Sequence, residues 1–300
     1  MRNLQAWISA CRLRTLPLSI SGAILGSGIA YSRDLFEGSI FTLTILTTLS
    51  LQILSNLAND YGDGVKGTDN EHRIGPERAL QSGKISPKQM RNAIIFNVII
   101  CLVFVVSLIY TTFGAEHFFT SMVFIVLGIL AIIAAIKYTV GASAYGYRAL
   151  GDVMVFLFFG WLSVLGTYFL YTKQIDFLML LPATTIGLLS TGVLNLNNMR
   201  DIESDKLSNK QTLAGYLGSK QSKIYHQLLV VFSMVLIGFY SFLTMNDSMY
   251  FLIIAFIPFL VHLNIIRNTI NPKDYDPQLK VLALSTFLLA IIFSVCHIVF

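Results

Sequence analysis

Charged residues are scarce in this 300-residue sequence: 12% are Asp, Glu, Lys or Arg, whereas 55% are hydrophobic. So few charges cannot cover the surface of a soluble domain of this size, which excludes a water-soluble enzyme with a single core. Lys and Arg outnumber Asp and Glu by 21 to 16. These cations are too thinly spread to form a basic face that follows phosphates, so we expect no nucleic-acid partner.

Cysteine is also rare, with three residues far apart in the chain: Cys11, Cys101 and Cys296. None belongs to a CxxC pair or to a Cys and His spacing typical of metal ligands. The sequence therefore predicts neither a disulfide framework nor a zinc site.

Long apolar runs are what the sequence has instead, and its mean hydropathy is +0.68. Nine runs come close to the ~20 residues that a helix needs to cross about 30 Å of hydrocarbon. They lie at approximately 15–31, 38–57, 92–112, 118–138, 152–170, 177–195, 225–245, 249–267 and 280–299. The predicted fold class is an all-α integral membrane protein, a bundle of about nine transmembrane helices with cytoplasmic cap loops.

The first run could be the apolar part of a signal peptide, because Arg2, Arg12 and Arg14 precede it. No convincing cleavage site of small residues follows, so we interpret it as a retained first span.

Lys and Arg fall almost entirely on one side of the nine predicted spans. The N-terminus and the loops after the second, fourth, sixth and eighth spans contain nineteen of the 21, whereas the opposite side has only Arg33 and Lys173. Basic residues accumulate on the cytoplasmic side of membranes. We therefore expect a multi-pass protein of the inner (cytoplasmic) membrane whose N-terminus and polar loops face the cytoplasm.

A single domain, 1–300, is expected, and it could consist of two four-helix halves. Asp60 and Asp201 each follow an even-numbered span and are 141 residues apart, which is consistent with a duplicated unit. The halves would cover about 15–138 and 152–267, with one last helix after them.

The first of two acidic clusters reads NLANDYGDGVKGTD over 56–69, at the cytoplasmic end of the second span. Helical spacing of three and four residues places Asn56, Asn59, Asp60 and Asp63 on one face. Carboxylates this close repel each other unless a cation lies between them. The spacing therefore favours a bound metal ion.

The second cluster, NLNNMRDIESD over 195–205, repeats that spacing in Asn198, Asp201 and Asp205, whereas Glu203 points elsewhere into solvent. Carboxylate and amide oxygens without nearby His or Cys favour Mg²⁺, which usually binds together with phosphate oxygens. The alternative is that these residues are helix caps and that the loops are solvated or contact lipid head groups.

Basic residues are interleaved with the acids and could bind an anionic ligand such as a diphosphate. They are Lys66, Arg73, Arg78, Lys84, Arg200, Lys206 and Lys210. A diphosphate site at the mouth of an apolar bundle suits a lipid substrate whose tail lies among the helices.

A third polar patch, KYTVGASAYGYRALGD over 137–152, lies in the loop after the fourth span. We expect Tyr138, Tyr145 and Tyr147 to face a substrate and stabilise a carbocation, and Arg148 to contact a diphosphate or a carboxylate. The alternative for the tyrosines is the aromatic belt of a membrane protein.

These strings resemble the UbiA superfamily of intramembrane aromatic prenyltransferases, whose members have nine spans and two Asp-rich motifs. The resemblance rests on the first cluster with RIGPERALQSGKIS (73–86), on YGYRALGD (145–152) and on NLNNMRDIESDKLSNKQTLA (195–214). It is closest to the branch of the superfamily that acts on 1,4-dihydroxy-2-naphthoate.

The superfamily pattern NDxxDxxxD is met at Asn59, Asp60 and Asp63, but its last acid falls on Gly67, with Asp69 two residues further on. This departure leaves the role of Asp69 as a ligand open. The DxxxD pair of the second motif is matched in full.

The resemblance implies Mg²⁺-dependent transfer of a polyprenyl group from polyprenyl diphosphate to 1,4-dihydroxy-2-naphthoate, with loss of diphosphate and CO₂. The implied catalytic and metal-binding carboxylates are Asp60, Asp63, Asp201 and Asp205, with Asn59 and Asn198 as further metal ligands. The implied substrate-binding residues are Lys66, Arg73, Arg148 and Lys210, to which the patch above adds Tyr138 and Tyr145.

Two other functions compete with this one. A secondary transporter is also an all-helical membrane protein, but transporters place functional charges near the bilayer midplane, and this chain has almost none there. A prenyltransferase for another aromatic acceptor, such as 4-hydroxybenzoate or homogentisate, differs only in its pocket. No pattern in the sequence indicates the oligomeric state.

Overall fold

The computed structural model describes residues 2–69, 74–244 and 248–299. Among these residues the regular structure is helical, apart from one isolated backbone bridge. Nine of the helices are long and apolar enough to cross a membrane, so the predicted all-α bundle is confirmed. We number them span one (Leu16–Tyr31), span two (Gly38–Val65), span three (Pro87–Phe113), span four (Phe118–Lys137), span five (Gly151–Thr172), span six (Phe177–Arg200), span seven (Leu213–Leu243), span eight (Ser248–Asn268) and span nine (Tyr275–Val299).

An N-terminal amphipathic helix, Arg2–Cys11, was not predicted. Its small residues Ala6 and Ala10 are buried in a hydrophobic cluster with residues of span two. The chain then turns through Arg12, whose φ of 49° is left-handed, and through the 3₁₀ turn Leu13–Thr15. Arg12 and Arg14 therefore lie in a tight turn between this helix and span one.

Two spans continue past their predicted ends on the side of the acidic clusters. Span two runs to Val65 instead of ending near residue 57, so the first cluster is helical as far as that residue. Span six runs to Arg200, and Asp201 forms the junction to a short cap helix, Ile202–Leu207. Helical backbone hydrogen bonds do not require apolar side chains, which is why hydropathy alone ended both spans too early.

Span one is central in the bundle and packs against spans two, five and nine. Span six packs against spans five, seven and nine. Buried hydrophobic residues form two clusters, one around spans two to four with the N-terminal helix and a larger one involving mainly the other spans.

The loops at the acidic end are joined by backbone hydrogen bonds. In the loop after span four, the amide of Gly146 donates to the carbonyl of Tyr138 over 2.9 Å. The amide of Ala149 donates to the carbonyl of Gln211 in the loop after span six, also over 2.9 Å, and Arg148 pairs with Gln211 in a parallel bridge. These contacts hold two distant loops side by side.

Spans five and six approach closely at a pair of glycines. A Cβ built on Gly160 would lie 2.6 Å from Cα of Gly187 and 2.7 Å from the carbonyl oxygen of Ala183. Small residues allow this kind of backbone contact between membrane helices. The pair therefore fixes the distance between the span that carries the second cluster and its neighbour.

We expect Gly160→Ala to lower the thermal unfolding temperature of the purified protein in detergent. The added methyl group must push two backbones apart, and overpacking of this kind costs about 1–3 kcal/mol. Gly238→Ala is the matched control, because a Cβ built on Gly238 meets no described atom within 4 Å outside its own stretch of helix. Equal unfolding temperatures for the two variants would contradict the close contact.

Candidate active site

A cavity of about 390 Å³ opens among the helices next to both acidic clusters. Along span two its lining residues recur every three or four positions from Thr44 to Asp63, a stripe about 28 Å long at 1.5 Å per residue. The opposite wall consists of apolar side chains from spans three, four and five. They include Val105, Leu108, Ile109, Phe124, Leu127, Phe158, Phe159, Leu162 and Leu170. The cavity therefore has a polar mouth and a long apolar arm.

The first cluster lies on the last turns of span two. Asn59 and Asp63 line the cavity, whereas Asp60 is buried and does not. One carboxylate oxygen of Asp63 accepts a hydrogen bond from the hydroxyl of Tyr147 over 2.7 Å. The buried Asp69 also lines the cavity, and its amide donates to the backbone carbonyl of Asp63.

The second cluster lies where span six meets the cap helix. Asp201 and Asp205 line the cavity and are buried, and Asn198 is buried outside the lining. The guanidinium group of Arg200 binds both carboxylate oxygens of Asp201, over 2.9 and 2.6 Å. The orientation of Asp201 is thus set by its own neighbour in the chain.

Lys210 joins the two clusters. Its ammonium nitrogen lies 3.9 Å from a carboxylate oxygen of Asp63 and 3.5 Å from one of Asp205. All three side chains are less than one-tenth exposed. The end of span two and the segment after span six therefore converge on one point at the mouth of the cavity.

Burial and these charges shift the pKa values of the loop residues. Burial raises the pKa of Asp205 to about 6; Lys210 opposes this effect, and Asp201 and Asp63 add to it. Burial lowers the pKa of Lys210, but the carboxylates of Asp63 and Asp205 outweigh it and raise that pKa above its ordinary value. Burial also raises the pKa of Tyr138 to about 12. Lys210 is therefore a permanent cation and Tyr138 a neutral phenol at physiological pH.

The donor atoms of both clusters fit a hard divalent cation. Four of the residues expected to bind the metal each have a buried side-chain oxygen without a hydrogen-bond partner among the described residues: Asn59, Asp60, Asn198 and Asp205. Buried oxygens without partners are costly, and a cation would satisfy them. Among the described residues no three His, Cys, Asp or Glu side chains already surround one point. This arrangement suits Mg²⁺, which binds to few carboxylates and takes phosphate oxygens as its other ligands.

The other expected substrate-binding residues lie in different positions. Tyr138 and Tyr145 line the cavity, with their ring centroids 5.3 Å apart. Lys66 and Arg148 are exposed and do not line it. Arg73 lies outside the described residues. Substrate contacts by Lys66, Arg73 and Arg148 stay predictions.

Arg200 was expected among residues that bind an anionic ligand, but the structure gives it another role. Its side chain is fully buried and pairs with Asp201, with Asn197 over 2.8 Å and with Asp276 of span nine. A second pair, between Arg14 and Asp276, is 3.8 Å long. No sequence signal links Arg200 to Asp276, because 76 residues separate them.

Three further basic residues line the cavity, and the sequence did not predict a role in the site for them. Arg12, Arg14 and Lys280 reach the cavity from the turn before span one and from span nine. Their position before or within the first turns of apolar spans is the only signal that the sequence offers, and it also fits plain membrane anchors.

The profile of the UbiA prenyltransferase family matches residues 19–294. The chain belongs to the UbiA prenyltransferase family. A UbiA homologue from Archaeoglobus fulgidus, solved with bound GPP and Mg²⁺, has the same fold, with a TM-score of 0.69 over 99% of both chains at 13% identity. Family membership and nine apolar helices make this chain a multi-pass membrane protein.

Two bacterial UbiA relatives named 1,4-dihydroxy-2-naphthoate octaprenyltransferase align with nearly the whole chain. The protein from Escherichia coli K12 is 40% identical over 278 residues, which cover 92% of this chain and 89% of that protein. The protein from Haemophilus influenzae is 39% identical over 298 residues, which cover 97% and 95%.

We expect Arg200→Met to destabilise this UbiA protein strongly. The substitution keeps most of the volume but leaves Asp201 unpaired in a buried position, and breaking a buried pair in this way costs roughly 3–5 kcal/mol. The measurement is the thermal unfolding temperature in detergent. Arg14→Met is the matched control, because Arg14 loses only a half-exposed 3.8 Å pair, worth about 0–1 kcal/mol. A smaller effect for Arg200→Met than for Arg14→Met would contradict the network.

Proposed function

We propose that this protein transfers a polyprenyl group from polyprenyl diphosphate to the ring carbon of 1,4-dihydroxy-2-naphthoate that bears the carboxylate. Diphosphate and CO₂ leave, and the product is demethylmenaquinone. The observation that carries the proposal is the convergence of Asp63, Asp205 and Lys210 at the polar mouth of a long apolar cavity. Such a cavity suits a substrate with an anionic head and an isoprenoid tail.

The relatives support the choice of acceptor. The E. coli and H. influenzae proteins carry the naphthoate name at 40% and 39% identity over most of both chains. The Archaeoglobus homologue supports the donor and the ion, since GPP is a prenyl diphosphate and Mg²⁺ is bound with it.

The residues of the two clusters would bind Mg²⁺ with the diphosphate. We assign the ion to Asn59, Asp60, Asp63, Asn198, Asp201 and Asp205. Four of these have a buried oxygen that no described residue satisfies with a hydrogen bond. When bound, Mg²⁺ supplies positive charge that stabilises the leaving diphosphate. Lys210 adds a fixed cation at the same place, and we assign it to the diphosphate with Lys66, Arg73 and Arg148.

The apolar arm of the cavity and the tyrosines act on the prenyl cation that forms when the diphosphate leaves. The carbon–oxygen bond of the allylic diphosphate breaks, and the electron pair leaves with the diphosphate. Walls such as Leu108, Phe158 and Leu162 exclude water that would otherwise capture the allylic cation. The faces of Tyr138 and Tyr145 stabilise that cation. The electron-rich ring then attacks the cation through the carbon that bears the carboxylate. The bond between that carbon and the carboxylate breaks, its electron pair returns to the ring and restores aromaticity, and CO₂ leaves.

The proposal is tested with purified protein in detergent, a polyprenyl diphosphate, 1,4-dihydroxy-2-naphthoate and Mg²⁺, with the product followed by mass spectrometry. We expect demethylmenaquinone, and none after EDTA. Product with 4-hydroxybenzoate or homogentisate but not with naphthoate would change the acceptor. No product with any acceptor would overturn the enzyme assignment.

In the same assay, we expect Asp63→Ala and Asp201→Ala each to reduce turnover by about a hundredfold or more, the scale of losing one electrostatic stabiliser of a transition state. The matched control is Glu203→Ala, because Glu203 belongs to the same acidic segment but is exposed. Membrane insertion should be unchanged in all three. Wild-type turnover in both Asp variants would refute the metal assignment.

We also propose that the N-terminus and the active-site loops face the cytoplasm from the inner membrane. The distribution of Lys and Arg supports this orientation. The same chain would form one catalytic domain, with the four-helix units 15–138 and 152–267 and a last helix.

The orientation predicts which cysteines an impermeant maleimide labels. In a variant without Cys11, Cys101 and Cys296, Glu203→Cys should react only in inverted vesicles and Gln174→Cys only in right-side-out vesicles. Both positions are exposed, so accessibility does not limit the reaction. The reverse pattern would overturn the orientation.

A further inference from the structure

Tyr147 connects the loop after span four to the first acidic cluster. Its hydroxyl lies 2.7 Å from a carboxylate oxygen of Asp63 and 2.5 Å from the hydroxyl of Thr68. Unlike Tyr138 and Tyr145, it does not line the cavity. A residue in this position acts on the cluster rather than on a substrate in the cavity.

The direction of each hydrogen bond follows from proton counting. A carboxylate only accepts, and a phenol has one proton, so the hydroxyl of Tyr147 donates to Asp63. The hydroxyl of Thr68 must then donate to the oxygen of Tyr147. A donor to a charged acceptor makes a hydrogen bond about twice as strong as a neutral one. Asp63 is therefore held by a chain of two oriented hydroxyls.

The backbone brings Thr68 into this chain. The amide of Thr68 donates to the carbonyl of Asp63 over 2.9 Å, so the loop folds back over the end of span two. Thr68 is buried there. The two hydroxyls thus come from different loops, Tyr147 from the loop after span four and Thr68 from the loop after span two. The backbone hydrogen bond from Thr68 to Asp63 holds the second of these in place.

The aromatic ring of Tyr147 also makes cation–π contacts with two lysines. The ammonium nitrogen of Lys66 lies 3.9 Å from the ring centroid and that of Lys210 lies 5.7 Å from it. Both are within the range of about 6 Å in which a ring face attracts a cation. Lys210 is the residue that joins Asp63 to Asp205. One side chain therefore contacts the acid and both lysines of the site.

Tyr147 and its neighbour Arg148 have different surroundings. Tyr147 ends the 3₁₀ turn Tyr145–Tyr147 and contacts Asp63, whereas Arg148 is exposed and pairs with Gln211 in the bridge to the loop after span six. Of these two neighbours, Tyr147 is therefore the one that contacts the first acidic cluster.

We propose that Tyr147 is a positioning residue for prenyl transfer: its hydroxyl orients Asp63 toward the metal site, and its ring keeps Lys66 and Lys210 beside the diphosphate. This inference rests on the proposed function of the site. It differs from the expected role of Tyr147 as a stabiliser of the carbocation, because the ring faces lysines instead of the cavity.

The test compares Tyr147→Phe, which keeps the ring and loses only the donor, with Thr68→Val and Tyr147→Leu. Mn²⁺ binding to the full chain in detergent is measured from the electron paramagnetic resonance signal of free Mn²⁺. A thiolo-diphosphate analogue of the prenyl donor, which is not turned over, is present. Tyr216→Phe is the matched control, because Tyr216 is 88% exposed.

We expect Tyr147→Phe to raise the Kd for Mn²⁺ about tenfold, the effect of one hydrogen bond to a charged group, and to lower kcat with little change in KM for the prenyl diphosphate. Thr68→Val should shift the Kd in the same direction by a smaller factor. Tyr147→Leu should in addition raise the KM for the prenyl diphosphate severalfold, because both lysines lose the ring. The unfolding temperature of the metal-free protein should fall little in Tyr147→Phe.

A wild-type Kd for Mn²⁺ in both Tyr147→Phe and Thr68→Val would overturn the proposal. So would a lower unfolding temperature in Tyr147→Phe without any change in Mn²⁺ binding, because a merely structural role gives that result. If Tyr147→Phe does not fold, Thr68→Val alone decides. If the wild-type protein prenylates no acceptor but Tyr147→Phe still weakens Mn²⁺ binding, the positioning role is retained and the proposed function is refuted.

Discussion

The ammonium group of Lys210 lies between two carboxylates that are far apart in the chain, and the end of the bundle with the acidic clusters is arranged around it. Asp63 ends span two and Asp205 lies in the cap helix after span six. Buried at the mouth of an apolar cavity, two like charges this close are stable only with a cation between them. Lys210 therefore links the end of span two to the cap helix. The carboxylates could bind Mg²⁺ at the same place, and the positive charges could bind a diphosphate.

Keeping charged groups buried there requires several further partners. Arg200 orients Asp201 and links it to span nine through Asp276, and Tyr147 orients Asp63 from the loop after span four. Side-chain oxygens of Asn59, Asp60, Asn198 and Asp205 still have no hydrogen-bond partner in the part of the chain that the structure describes. The protein thus orients some of its acids firmly and leaves other oxygens ready for an ion, which is the arrangement a metal-dependent transferase of lipid diphosphates requires.

Much of this site could be predicted from local spacing. Asn59, Asp60 and Asp63 repeat at three and four residues, and helix geometry alone places them together. The contact between Arg200 and Asp276 could not be predicted, since the two residues lie on different spans and nothing in either segment identifies the other. Tyr147 and Arg148 show the same limit at short range, because Tyr147 contacts Asp63 whereas its neighbour is exposed, and nothing in the segment itself distinguishes the two.

The sequence by itself determined the membrane environment, the nine spans and the two acidic clusters, because hydropathy and helical periodicity are properties of short segments. Only the tertiary structure decided that Lys210 joins the clusters and that Tyr147 contacts Asp63. It also decided that Lys66 and Arg148 are exposed and that an unpredicted helix, Arg2–Cys11, packs before span one. The physical reason is that these features depend on how the spans pack, and the energy of a buried charge depends on every group that packing brings near it.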